Sequence, residues 1–230
     1  MLVANKEEIR EMNLGNTIVL SINVGLPNVL KHGNKEVQSG IRKSPVAGSI
    51  QVTQNGLPGD GQADLKNHGG SDKAICVYSA DHFPYWEQRL GFQFNAGAFG
   101  ENFTLSGSSE LEWCIGDQVR VGTALLQVTQ PRQPCYKLGA RHEKPELTAW
   151  VTQTGYTGFY LRVLEEGEVT AGEPVVVVER DPAGITIAEA NRIMHHDKTD
   201  AEGIQRLLAV PALSDSWRET LIERLNQIHT

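Results

Sequence analysis

Long apolar runs are missing from this 230-residue chain. No stretch approaches the ~18 apolar residues that a membrane helix needs, and Met1 to Glu8 contain no extended apolar segment. A soluble, unexported protein without a membrane partner is expected. Cysteine is also scarce: the three, at positions 76, 114 and 135, cannot all pair within one chain, and they lack the close spacing of a zinc site or disulfide framework. A reducing cytoplasm fits that usage. Positive charge is in deficit, with 21 Lys and Arg against 28 Asp and Glu and a net charge of −7. The global field therefore repels nucleic acid, and none is expected as a partner. No Gly-x-Ser-x-Gly elbow, Walker loop, His-Glu-x-x-His helix or Cys-x-x-Cys pair occurs, which removes the common hydrolase, nucleotide-binding and zinc signatures.

Glycine, by contrast, is abundant. Its 23 positions are about a tenth of the chain, against a usual share of ~7%, and together with ten prolines they predict many turns and short strands. The length suffices for a sizeable core. A short helix is expected over residues 5–13, then a first strand from Thr17 to Val24. Residues 26–43 read as a polar loop ending in the cations Arg42 and Lys43, ahead of a strand from Ser49 to Thr53. The run Ala74 to Tyr78 reads as a strand with Cys76 in the core. A helix over 81–90 would be capped by Asp81, with Pro84 in its first turn and Tyr85, Trp86 and Leu90 as a packing face. Strands over 118–121 and 124–129 form a hairpin through Gly122-Thr123, a mildly helical segment covers 145–153, and two more strands follow at 157–164 and 174–178.

Periodicity changes after Asp181. Thr186-x-x-Glu189 is a capping box, Asp200 and Ser214 can cap two further helices, and the last of them repeats apolar residues at Trp217, Leu221, Leu225 and Ile228. The expected organisation is an extension over 1–16, a mainly β domain over 17–180 and a three-helix unit over 181–230.

Chemistry concentrates in Gln130-Pro131-Arg132-Gln133-Pro134-Cys135-Tyr136-Lys137-Leu138. Proline has a fixed φ and no ladder donor, so the strand ending near Thr129 breaks and delivers Cys135 at its end. Arg132 and Lys137 flank the thiol, and nearby positive charge favours the thiolate, the form that ligates metals or attacks electrophiles. The residues alone leave Cys135 open as nucleophile, sulfur carrier, metal ligand or small buried hydrophobe. Two glycine-rich loops, 56–64 and 67–73, let backbone N–H groups approach an anion, with His68 and Lys73 adding charge. Ordinary β-turns account for the same glycines. A third such loop covers 97–104.

Taken in order, Gly59-Asp60, His68-Gly69-Gly70-x-Asp72-Lys73-Ala74, Gly100-Glu101-Asn102, Gly116-Asp117 and Pro131-Arg132-x-Pro134-Cys135-x-Lys137 closely resemble the MOSC family, named after the molybdenum-cofactor sulfurase C-terminal domain. The resemblance covers roughly residues 17 to 180, and the helical tail is similar to the three-helix extension of the bacterial YiiM-like subgroup. It implies a MOSC-type β-barrel that binds molybdenum cofactor, with Cys135 as the metal ligand. Lys43, His68, Gly69, Lys73, Asn102, Arg132 and Lys137 fall on motif positions whose chemistry suits a pterin phosphate or its polar ring. Asp60 and Asp72 orient loops or bond the pterin, since carboxylates repel phosphate. The resemblance further implies an oxidoreductase that reduces N-hydroxylated compounds such as 6-hydroxylaminopurine, a detoxifying activity on base analogues. The chain shows no flavin or iron–sulfur signature, so a separate redox protein would supply the electrons. The competing reading is a non-catalytic carrier of the cofactor, or of sulfur on Cys135.

Overall fold

Near the start of the described residues, seven with the sequence IVLSINV form a strand, with Val19 and Ile22 buried and Leu20 turned to solvent. The computed structural model describes residues 17–64 and 69–228. The helix expected over 5–13 lies outside them, as does His68. Twelve strands follow in chain order: β1 (Ile18–Val24), β2 (Asn28–His32), β3 (Lys35–Ser39), β4 (Ser44–Pro45), β5 (Ser49–Val52), β6 (Ile75–Ser79), β7 (Phe103–Ser106), β8 (Gln118–Val121), β9 (Ala124–Pro131), β10 (Phe159–Glu165), β11 (Gly167–Thr170) and β12 (Val175–Glu179). Eight of them form one sheet in the order β12-β8-β9-β10-β6-β7-β1-β4, antiparallel throughout except for the β6–β7 pair. The sheet curls until its ends nearly meet. Ile18 bridges to Pro174, and the Val19 N–H donates to the Glu173 carbonyl at 2.9 Å. This is the mainly β, barrel-like fold that the sequence predicts.

Strand periodicity decides what faces the barrel interior. Ile75 and Val77 of β6, and Phe159, Leu161 and Val163 of β10, join one buried cluster with Trp113, Ile115, Leu126 and Val128. Cys76 and Tyr160 alternate with them, so both point out of that core. Tyr78 also faces outward, into a second, aromatic cluster with Phe83, Trp86, Phe94, Phe99, Leu138 and Val151. There Tyr78 stacks on Phe99 at 3.9 Å between centroids and accepts from Trp86 Nε1 at 2.7 Å.

Two local expectations change. Residues 26–43 are not merely a loop: they contain the β2–β3 hairpin, turned at Gly33 with φ of 58°. Asp81 does not cap its helix. Ser79 caps a tight turn over Ala80–His82, Asp81 accepts from the Gly107 N–H at 2.9 Å, and helix α1 (Phe83–Leu90) starts later, with Pro84 in its first turn. Trp86 is fully buried, as a packing residue should be.

Helices α2 (Tyr136–Arg141) and α3 (Leu147–Thr154) pack beside the aromatic cluster. The C-terminal part holds α4 (Ile187–Asn191), continued by a π turn over Arg192–His196, then α5 (Ala201–Leu208) and α6 (Asp215–Ile228). Thr186 Oγ1 accepts from Glu189 N at 3.0 Å and Asp200 accepts from Gly203 N at 2.8 Å, the caps expected from sequence. Ile187, Ile193, Ile204, Leu207, Trp217 and Leu221 belong to the same buried cluster as the barrel interior. Each such side chain contributes about 1.5–3 kcal/mol on burial, so the helices are held to the barrel by shared core. Among the described residues no helix is long and apolar enough to cross a membrane.

Candidate functional site

Strand β9 runs through Pro131, whose missing N–H is tolerated where the ladder ends. One further bond, from Arg132 N to the Gly158 carbonyl at 2.9 Å, holds the chain before it peels away. Cys135 then lies in extended conformation immediately before α2, with φ of −120° and ψ of 162°, four residues beyond the strand rather than at its end. Its carbonyl accepts from Thr148 Oγ1 at 3.2 Å and from Leu138 N at 3.0 Å, and buried Leu138 anchors the helix. Cys135 is half-buried.

Facing it are three loops that approach closely because they carry glycine. A Cβ at Gly40 would lie 2.1 Å from the Gly61 carbonyl oxygen, and one at Gly100, whose φ is +78°, would lie 2.8 Å from Ile41 Cγ1. The buried Glu101 carboxylate gathers the 97–101 loop, accepting from Gly97 N at 2.6 Å and Phe99 N at 2.9 Å. Arg141 Nη1 donates to the Gly97 carbonyl at 2.6 Å and to the Ile41 carbonyl, tying two of these loops to α2.

Between these walls lies a cleft that opens to solvent. Lys43, Lys73, Asn102, Arg132, Cys135 and Lys137 all line it, so six of the sequence-predicted residues converge. Lys43 is not a solvated loop cation, since its side chain is only 6% exposed and pairs with Asp60. Asp60 sits behind that lysine. Its Oδ1 also accepts from Gly25 N at 2.9 Å and its Oδ2 from Asn102 Nδ2 at 2.9 Å. Asn102 in turn donates to the Asn23 carbonyl at 3.2 Å and accepts from Cys76 N at 3.0 Å. Both amide protons of Asn102 thus have partners within the fold, which makes Asp60 and Asn102 a brace for Lys43 and for β6.

Of the two roles expected for Asp72, the structure shows the loop-orienting one. Asp72 does not line the cleft but pairs with Arg162 at 2.8 Å and accepts from Asp215 N at 3.1 Å, at the start of α6. Gly69 is likewise not among the lining residues described.

Cys76 and Tyr160 line the cleft although residue-by-residue reading assigned neither to it. Cys76 is buried yet belongs to neither apolar cluster. Strand alternation was the available signal, because its neighbours Ile75 and Val77 fill the barrel interior and an intervening residue must face away. Burial pushes the Cys76 thiol up, opposed by Arg132 and Lys43. Burial, then the adjacent Cys76, raises the Tyr160 phenol well above its ordinary value. Lys73 is shifted the other way: burial lowers it, with Asp72 and Asp64 partly offsetting.

The electrostatics select an anion. Among the described residues four cations line the cleft, Lys43 already paired with Asp60, against the carboxylate of Asp64. Arg132 is 7% exposed, and its Nη1 is buried with no hydrogen-bond partner among the described residues. A guanidinium donor left unpaired in a cleft costs free energy that a bound anion recovers. Cationic walls, closely packed glycine loops and a half-buried thiol together make a cleft suited to an anionic ligand on a curled β-barrel.

Comparison with known proteins identifies the family. The MOSC domain matches residues 64–176, and the YiiM-like 3-alpha helix domain matches residues 185–227. YflK of Bacillus subtilis is 45% identical over 210 residues, covering 91% of this chain and 95% of its own. The crystal structure of YiiM from Geobacillus stearothermophilus is 45% identical with a TM-score of 0.79, covering 91% of this chain and 99% of that one. A Gibberella moniliformis protein named reductase is 29% identical over 194 residues, and this chain spans 34% of its length. The chain belongs to the MOSC family, in the YiiM-like group that carries the C-terminal three-helix domain.

Proposed function

We propose that the protein is a molybdenum-cofactor-dependent reductase of N-hydroxylated compounds, and that Cys135 ligates the metal. The observation that carries this reading is the unpaired Arg132 Nη1 beside Cys135 in a cleft of four cations. Among the described residues no group of three or more His, Cys, Asp or Glu can hold a metal ion. A metal at Cys135 would therefore arrive already chelated, and a soft thiolate suits one carried on sulfur ligands. The MOSC match and the reductase name of a distant relative support the same class.

When bound, the cofactor supplies a metal centre that cycles by two electrons. The chain's own residues bind and orient. Arg132, Lys43 and Lys137 would hold its anionic groups, Asp60 and Asn102 keep Lys43 in place, and the Cys135 sulfur would ligate the metal. The net conversion is R–NHOH + 2 e⁻ + 2 H⁺ → R–NH₂ + H₂O. Lys73, which lines the cleft and whose ammonium is made more acidic by burial, would supply one proton to the departing hydroxyl. The electrons come from a separate redox protein.

Purification from a host that makes the cofactor, followed by metal and pterin analysis and assay with 6-hydroxylaminopurine and a chemical reductant, tests the reading. Stoichiometric molybdenum with turnover supports it. Stoichiometric cofactor without turnover of any N-hydroxylated substrate assigns a carrier role instead. Persistent absence of molybdenum from folded protein overturns both.

A further inference from the structure

Charge is unevenly spread along this acidic chain. Residues 31–43 and 132–144 carry eight of its 21 Lys and Arg but two of its 28 Asp and Glu, namely Glu36 and Glu143. Elsewhere the chain holds twice as many acids as bases. The fold brings the two basic segments together. Strand β2 lies against α2, the His32 ring packs on Tyr136 with centroids 4.8 Å apart, and Arg141 Nη1 donates to the Ile41 carbonyl. The same segments supply Gly40, Ile41, Lys43, Arg132, Cys135 and Lys137 to the cleft, so the basic surface borders its mouth.

Four of the eight cations stay outside the cleft lining and exposed: Lys31, Lys35, Arg42 and Lys144. Among the described residues none of them is in an ion pair. Lys31 stands opposite Glu36 across the β2–β3 hairpin, which partly offsets its charge. Lys35 stands opposite His32, on the side of the hairpin that meets Tyr136. Arg42 directly follows Ile41, whose carbonyl is held by Arg141. A ligand seated on Lys43 and Arg132 leaves this outer set free, and its field extends toward a partner that approaches Cys135.

We propose that the surface centred on Lys35 and Arg42 docks a small acidic protein carrying a one-electron iron–sulfur cluster, which supplies the cleft with electrons. This rests on the reductase reading and names where its electrons enter. Each encounter delivers one electron, and two serve one turnover: 2 D(red) + R–NHOH + 2 H⁺ → 2 D(ox) + R–NH₂ + H₂O. The chain has no flavin or iron–sulfur signature of its own, so the electrons must cross an interface. Transfer weakens steeply with distance, which favours an interface beside Cys135. Opposite charge speeds the encounter, and a contact of less than about 1,200 Å² lets the spent carrier leave. Tyr136, 47% exposed, offers an aromatic centre for that contact. The acidic remainder of the chain repels the same carrier, so charge also sets its orientation.

A plant-type two-iron ferredoxin, itself strongly acidic, is the probe. Lys35 and Arg42 are exposed, so Lys35→Glu/Arg42→Glu should fold, as a thermal melt verifies. With 6-hydroxylaminopurine as acceptor and loaded enzyme, the KM for reduced ferredoxin is expected to rise with salt in the parent, and to rise about tenfold in the double variant at low ionic strength with molybdenum content unchanged. Reduced methyl viologen, which needs no docking site, should drive parent and variant equally. Lys198→Glu, exposed in the helical domain, should leave the ferredoxin KM alone. An unchanged ferredoxin KM in the double variant, or an equal loss with methyl viologen, overturns the proposal. A second arm needs no turnover: calorimetric titration of oxidised ferredoxin should show binding about tenfold weaker in the double variant. Equal affinities overturn the proposal, as does binding of a DNA oligonucleotide at this surface with none of ferredoxin. Should no N-hydroxylated substrate turn over with either donor while ferredoxin binding still depends on Lys35 and Arg42, the docking surface stands and the reductase reading falls.

Discussion

The Asp72 carboxylate meets the Arg162 guanidinium at 2.8 Å and, through its other oxygen, accepts from the Asp215 backbone N–H at 3.1 Å. Three elements distant in sequence are joined by this one side chain: the loop before β6, strand β10 and the first turn of α6. The neighbouring Lys73 lines the cleft, so the tie also fixes the helical domain relative to it.

Asp72→Ala should therefore be felt mainly at the domain junction. The partly exposed ion pair and the helix-end bond together are worth about 1 kcal/mol. For a chain of this size that corresponds to a Tm lower by roughly 2–4 °C. Hydrogen exchange should show lost protection over residues 215–221 with the β6–β10 core unaffected. Uniform loss across the barrel would contradict the tie.

Arg132 behaves differently from an ordinary buried cation. Its unpaired Nη1 makes it a burden on the empty fold and an asset to a bound anion. Arg132→Met should hold or raise the Tm of the apo protein. Inorganic pyrophosphate, standing in for an anionic cofactor group, should raise the wild-type Tm in proportion to ln(1 + [L]/Kd) and raise that of the variant by less than half as much. Equal shifts in a thermal-shift titration would remove Arg132 from the anion site.

The two cleft thiols should separate by reactivity. Cys135 is half-buried, while Cys76 is 7% exposed and its thiol is pushed up by burial. Peptide mapping after iodoacetamide treatment of apo protein should show Cys135 alkylated at least tenfold faster. Cys135→Ser should leave the Tm within a degree or two, since the Sγ holds no structural bond among the described residues, yet lower molybdenum retention more than tenfold. An inert Cys135 would place it in the core and end its candidacy as a ligand.

Local signals carried much of this structure. Thr186 and Glu189, Asp200 and Ser214 predict their helix starts because capping is a matter of three or four residues. The Cys135 stretch and the glycine loops predict a site because their chemistry is written in consecutive residues. The β2–β3 hairpin escaped because nearly every position in it is exposed, leaving no alternating apolar face to detect. Cys76 was taken for core because its flanks are apolar, although those flanks face the opposite side of the strand. Asp72 was read from its motif position as orienting a loop or bonding the pterin, but what it ties could not be read, since its partners Arg162 and Asp215 lie 90 and 143 positions away, where no local pattern reaches.

Acid should weaken the helical domain through His195. Its ring sits in the π turn after α4 with Nε2 buried and unpartnered among the described residues. Burial, then the nearby His196, Lys198 and Arg224, lowers its pKa to about 4. Above the unfolded value of about 6.5 the ring is neutral in both states and stability is insensitive to it. As pH falls through about 6.5, the unfolded chain binds a proton that the folded one refuses until about pH 4, so stability declines across that window and then levels off. The loss is roughly 2 kcal/mol for this partly buried ring. His195→Leu, which also removes the unsatisfied nitrogen, should lose less stability than the parent between pH 7 and 4.5. Urea denaturation at both pH values measures the difference, and parallel losses in parent and variant would show that His195 is protonated in the folded protein.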